Sequence, residues 1–139
     1  MVHPGELISR TGEALIGGNL EAMSRAYSYP FVVAMDDVQH VLRQPGEIVE
    51  VLAAFRNDLL GQGIVSADTR IESHVIFNDD MAFLNAHTVY FDAAGAEVTD
   101  SKTSYVMRLN HGRWEIITVS IDKKASHAPG ACLLEARAA

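Results

Sequence analysis

The chain has 139 residues, of which 48% are hydrophobic and 21% charged, and its formal charge at pH 7 is −7. That length and balance describe one globular domain and exclude disorder over most of the chain. No apolar run approaches the roughly 18 residues of a membrane span, and the acidic surplus argues against a nucleic-acid or anionic-membrane surface.

The first half reads helical. Pro4 suits a first helical turn, and Leu7, Ile8, Ala14 and Leu15 follow at helical spacing until Gly17-Gly18 stops the run. Asn19 is an N-cap candidate for a second short helix with Leu20, Met23 and Ala26 on one face. Pro30 is expected to end it, since the residue before a proline leaves the α region. Phe31 to Met35 reads as a strand, Asp36-Asp37 as a solvated turn, and Val38 to Arg43 as the returning strand. Pro45-Gly46-Glu47 opens a long helix with Ile48, Val51, Leu52, Phe55 and Leu59 on its apolar face.

The second half reads as an antiparallel meander: Arg70 to Phe77, Met81 to Phe91, Val98 to Leu109 and Arg113 to Ile121. Asn78-Asp79-Asp80, Asp92-Ala93-Ala94-Gly95 and Asn110-His111-Gly112 separate the runs, and each holds residues that tolerate positive φ. The expectation is a single α+β domain over residues 1–139, with its core at about 5–122 and a peripheral tail at 123–139. That tail contains the only cysteine, Cys132, which reads as an idle thiol. No CxxC, HxH or HxxxH spacing is present, so neither a metal nor another cofactor is expected. The start MVHPGELISRTGEAL lacks the basic and apolar regions of a secretory signal, which makes the cytoplasm the expected location.

Helix, Gly17-Gly18-Asn19-Leu20-Glu21-Ala22-Met23, Tyr27-Ser28-Tyr29-Pro30-Phe31, hairpin, long helix, then four strands closing on Gly112-Arg113-Trp114-Glu115-Ile116: this order resembles the nuclear transport factor 2-like superfamily, which includes SnoaL-like polyketide cyclases and ketosteroid isomerases. The resemblance implies a cone of helices packed in a curved antiparallel sheet, a cystatin-like α+β roll with an apolar pocket. Such members include isomerases, dehydratases, epoxide hydrolases and non-catalytic modules, so fold does not decide activity. Ketosteroid isomerase-like sequences carry a general-base Asp on the strand after the second helix. Phe31 to Met35 holds no acid, which counts against that chemistry here.

Hairpin parity assigns the faces. A two-residue turn at His111-Gly112 pairs Leu109 with Trp114. A three-residue loop before Ala96 sets Phe83 opposite Tyr105, and a two-residue turn at Asp79-Asp80 sets Glu72 opposite His87 and His74 opposite Asn85. One face then gathers the expected pocket residues Glu72, His74, Phe83, Asn85, His87, Tyr105, Trp114 and Thr118, joined by Tyr29 at the mouth. His87 is the candidate acid or base, with Glu72 orienting it. Tyr105, Asn85 or His74 would supply donors to a developing oxyanion. His40 and His111 read as surface residues.

The functional expectation is a SnoaL-like domain that binds a small apolar or amphipathic molecule, with cofactor-free isomerase, cyclase or dehydratase chemistry as one option. The alternative is a non-catalytic binding or dimerisation module. Leu84, Tyr90, Val106, Ile117, Val119 and Ile121 fall on the opposite, apolar face. They are the expected contact surface of a homodimer.

Overall fold

The computed structural model describes residues 3–35 and 38–121. The turn expected at Asp36-Asp37 and the tail with Cys132 lie outside the described residues.

Proline opens the first helix as expected. Helix α1 spans Pro4–Ser9, and His3 caps it by accepting the Gly5 N–H on Nδ1 at 3.0 Å. The expected single helix to Gly17 is two: α2 runs Thr11–Gly17, after a break at Arg10. At the break the Thr11 hydroxyl donates to the Ile8 carbonyl at 2.7 Å, which supplies a local partner for that carbonyl. Gly18 closes α2 in the left-handed region at φ 82°. Helix α3, Leu20–Ser24, follows Asn19, whose side chain makes no cap bond.

Strand β1, Tyr27–Met35, runs through Pro30 rather than starting after it. It pairs antiparallel with β2, Val38–Leu42. Helix α4, Pro45–Gly61, buries Ile48, Val51, Leu52 and Leu59 as its periodicity predicts. Strands β3 (Ile64–Phe77), β4 (Met81–Asp92), β5 (Glu97–Asn110) and β6 (Arg113–Ile121) form the expected meander, with β3 starting six residues earlier than Arg70. The sheet order is β2-β1-β6-β5-β4-β3, and β1 joins β6 in parallel. The helices cover one face of this curved sheet. Phe31, Leu42, Leu84, Met107 and Ile116 are sealed beneath them.

The residues nearest each turn pair largely as parity predicts, and then one extra residue reverses each strand. Leu109 faces Trp114 and Met107 faces Ile116, but Ile117 is bulged out, so Tyr105 faces Val119 and Thr103 faces Ile121. Phe91 faces Glu97, Val98 is extra, and Phe83 therefore faces Val106 while Leu84 faces Tyr105. The β3–β4 turn takes three residues, pairing Phe77 with Met81, and Glu72 is the extra residue farther along. Asn78 and Asp79 both adopt positive φ there, which Asn and Asp tolerate.

These shifts correct the expected faces. Leu84, Tyr90, Val119 and Ile121 are buried on the helix side, so they are not an outer surface. Phe83, Asn85 and His87 alternate with buried Ala82, Leu84, Ala86 and Thr88 and so point to the outer face, and Thr118 joins them there opposite Val106. His40 is buried at 8% exposure rather than lying on the surface. It shares the inward side of β2 with Leu42, and its Nε2 has no hydrogen-bond partner among the described residues.

Helix α2 reaches the sheet because Gly12 has no side chain. A Cβ there would sit 2.8 Å from Thr69 Oγ1 and 3.2 Å from the Ala67 methyl. Beneath it the buried Thr69 and Thr88 hydroxyls bond at 2.7 Å. Replacing Gly12 with Val should therefore destabilise the fold by about 1–3 kcal/mol through overpacking. Gly17→Ala, with open space around it, should be neutral or stabilising by about 0.5–1 kcal/mol. Urea unfolding of both variants checks the contrast, and equal midpoints would refute the close approach.

Candidate functional site

Between α2, α4 and the sheet lies a cavity of about 90 Å³. Thr11, Gly12 and Leu15 of α2 form one wall, and Leu52 and Phe55 of α4 another. The sheet contributes Tyr27, Thr88, Tyr90, Ser101, Thr103, Tyr105, Val119 and Ile121. The polar groups are almost all hydroxyls. Among the described residues lining this cavity there is no carboxylate, imidazole, amine or guanidinium.

The tyrosines are held neutral. Burial pushes the Tyr27 phenol well above its ordinary value, and the neighbouring Tyr105 and Tyr29 add to the shift. Tyr105 is pushed up to about 12, by burial first and then by Tyr90, against an opposing hydrogen bond from Thr11. Tyr90 is raised by burial, although its contact with the Ser101 hydroxyl at 3.5 Å favours ionisation. Tyr27 also stands edge-on to Phe31, with ring centroids 4.7 Å apart. At neutral pH the cavity thus offers neutral O–H donors and acceptors on an apolar frame.

The sequence-predicted site residues divide among several places. Tyr105 lines this cavity. Trp114 lines a separate hollow near the β5–β6 hairpin. Tyr29, half-buried, donates its hydroxyl to the Ser24 carbonyl at 2.9 Å, and burial raises its pKa to about 12. His74 stands near the far end of β3, edge-on to the His3 ring at 5.7 Å.

The expected Glu72–His87 pairing is replaced by another. His87 Nε2 lies 2.7 Å from Asp100 Oδ2, whereas Glu72 lies 4.0 Å from Lys102 Nζ. The reason is the bulge at Glu72, which leaves Arg70 opposite His87. Asn85 bridges Ser73 and Ser104 at 2.7 and 2.6 Å, on the outer face as well. His87, Asn85, Phe83 and Thr118 thus share the outer face of the sheet and are absent from the cavity lining.

Sequence reasoning missed Thr11, Thr88, Tyr90 and Ser101 as lining residues. Thr88 and Tyr90 alternate with His87 and Val89, so the correct β4 parity alone would have found them. Among the described residues no cluster of three or more His, Cys, Asp or Glu could hold a metal ion, and no helix is long and apolar enough to cross a membrane.

All four tyrosines of the chain are shifted upward. A raised phenol pKa means that the folded state holds the proton more tightly than the unfolded chain. The associated stability is complete below pH 10 and is lost as pH rises through the folded values. Absorbance at 295 nm should therefore show no tyrosine ionising with a midpoint near 10 while circular dichroism still reports the folded state. A reversible transition near 10 in the folded protein would contradict the burial described.

Comparison with known proteins places this geometry. The family model described as NTF2-like protein (DUF6841) matches residues 6–124. No curated protein matches the sequence. Among solved structures, an NTF2-like protein with a cystatin-like fold from Novosphingobium aromaticivorans is similar at a TM-score of 0.66 and 17% identity, covering 89% of this chain and 84% of the other. A domain of unknown function with a cystatin-like fold from Nostoc punctiforme has a TM-score of 0.67 and 15% identity, over 86% of this chain and 74% of its own. A ketosteroid isomerase-like protein from Erwinia carotovora atroseptica has a TM-score of 0.59 and 16% identity, over 82% and 87%. At these identities the likeness is one of fold.

Proposed function

The chain belongs to this NTF2-like family, and on that footing we propose that it is a binding domain for a small, neutral, largely apolar molecule with at least one hydrogen-bonding group. One observation carries the reading: the cavity lining is apolar and hydroxylic, with no group that could act as a general base near pH 7. Thr88, Tyr90, Ser101 and Thr11 already have partners, and a ligand carbonyl or hydroxyl would use the hydrogen-bonding capacity each hydroxyl has left. A charged ligand would lose its hydration here without gaining a counter-ion. The cavity is smaller than the roughly 150 Å³ that admits benzene in an engineered protein core. An adjoining hollow of about 170 Å³ shares Thr11, Met23 and Tyr27 with it and adds Arg10, whose guanidinium faces Glu6 at 3.8 Å, and it extends the space to a molecule of phenol size or somewhat larger. SnoaL-like isomerase, cyclase or dehydratase chemistry finds less support, because His87 and Glu72 belong to other surroundings. A single cysteine, with no disulfide framework, suits a cytoplasmic setting.

Phenol is a suitable probe, with benzylamine, which is a cation at neutral pH, as its charged counterpart. Phenol at a hundredfold excess over its Kd should raise the Tm by roughly 5 °C or more, and benzylammonium should not. Thr103→Leu should abolish the effect by filling the cavity. No shift with phenol, or an equal shift with benzylammonium, would remove the neutral-pocket reading.

We propose in addition that a second copy of the chain covers the outer sheet face, keeping Val106 from the surface expected from sequence and otherwise using different residues. Phe83 and Val75 are paired across β3 and β4 and are 47% and 54% exposed. Phe77 stacks edge-on against Phe83 at 5.5 Å, and Val106 lies beside Phe83 on β5. An apolar cluster of this kind on the outer face near the β3 edge favours a two-fold pairing that buries at least about 1,000 Å² in total. Phe83→Asp should shift the protein from dimer to monomer in sedimentation velocity at micromolar concentration. A monomeric unmodified protein would refute the pairing.

A further inference from the structure

Where α1 and α3 meet the β5–β6 hairpin, a hollow of about 290 Å³ is lined by Leu7, Ala22, Ala26, Trp114, Gly112, Arg25 and Arg113. Its size approaches the lower end of small-molecule sites, roughly 300 Å³. Its walls are unlike those of the hydroxylic cavity. One side is aliphatic and aromatic, and the other carries two guanidinium groups.

The two arginines are arranged rather than incidental. Arg113 donates through Nη2 to the Arg25 carbonyl, which ties the hairpin to the end of α3. The Ala26 carbonyl accepts the Ile116 N–H at 2.7 Å and fixes the same junction. Arg113 is partly compensated by Glu115, whose Oε2 lies 3.6 Å away. The Arg25 guanidinium has no ion pair and no side-chain hydrogen bond among the described residues, although the whole chain carries a charge of −7. A local positive group in an acidic protein, set beside a dry wall, selects for an anion with an apolar body.

We propose that this hollow is a binding site for a small organic carboxylate, its carboxyl group held by Arg25 and Arg113 and its apolar part lying on Trp114, Leu7, Ala22 and Ala26. Leu7, Ala22 and Ala26 also line the 170 Å³ hollow, so a longer apolar part has room to continue toward Tyr27. Arginine suits the head-group role because its planar fork meets a carboxylate bidentately. The site shares no lining residue with the 90 Å³ hydroxylic cavity, and the proposal stands without the reading of that cavity.

Trp114 is the single tryptophan of the chain, so its fluorescence reports on this hollow alone. Hexanoate should change that fluorescence saturably and bind at least about tenfold more tightly than 1-hexanol, which has the same apolar chain and no charge. Arg25→Gln should abolish that preference while leaving hexanol binding and the circular dichroism spectrum unchanged. Arg113→Gln should weaken hexanoate similarly, and Arg113→Lys should restore part of the loss. The proposal is overturned if hexanoate gives no saturable change up to 10-millimolar-scale concentrations, about 10 mM. It is overturned equally if hexanoate and hexanol bind alike, or if Arg25→Gln leaves the hexanoate affinity intact. A nitroxide on Cys132 that broadens the Trp114 indole N–H resonance in the ligand-free protein would assign the hollow to the chain's own C-terminal segment and also overturn it.

Discussion

Alternation along a β-strand can be reversed only by an odd number of extra residues, and this meander inserts one in each of its three hairpins, besides Val65 near the start of β3. Glu72, Val98 and Ile117 are those residues. Upstream or downstream of each, every side chain exchanges faces. The hydroxylic interior exists because Thr88, Tyr90, Ser101, Thr103 and Tyr105 all end on the same side after these reversals. Bulges also increase local twist, which fits a sheet that has to curve around α2 and α4.

The separation of neutral and charged groups follows from the same geometry. His87, Asp100, Lys102 and Arg70 occupy one stretch of the outer face, where water screens them. Beneath the helices the sheet offers hydroxyls and hydrocarbon. Burial then keeps the phenols protonated, and no cation among the described residues opposes it at Tyr27 or Tyr105. The Glu72–His87 pair expected from the sequence does not form, and His87 meets Asp100 on the outer face instead.

Much of the fold was legible because it rests on strong local signals. Pro4 and Pro45 opened their helices, Gly18 closed α2, and the turn residues at 78–80, 92–95 and 110–112 fixed where the strands reverse. The α4 stripe was legible because period 3.6 is unambiguous over seventeen residues. The break at Arg10 was less visible, since apolar spacing continues through it and only Thr11 and Gly12 betray it. Pro30 was read by its local preference, yet the chain was already extended at Tyr27, because helix α3 ends at Ser24. The candidate site was legible only in Tyr105. Bulges at Glu72, Val98 and Ile117 have no sequence mark comparable to a glycine, and each one moved a whole strand's worth of side chains. His40 shows the same limit on β2, where alternation alone could not say which side the helix would cover.

Strand β3 is an edge of the sheet, so one row of its backbone N–H and C=O groups has no neighbouring strand. Its far end reads Val75-Ile76-Phe77, and all three side chains are exposed. Exposed apolar side chains on an unpaired strand are a template for disordered association as readily as for specific contact. The flanking residues limit that hazard. Arg70 and Glu72 stand on one side and Asp79 and Asp80 on the other, so an intruding strand would have to align with charges at both ends of a three-residue apolar run. This edge is therefore guarded by charge, and neutralising those four charges would cost more in colloidal behaviour than in folding free energy.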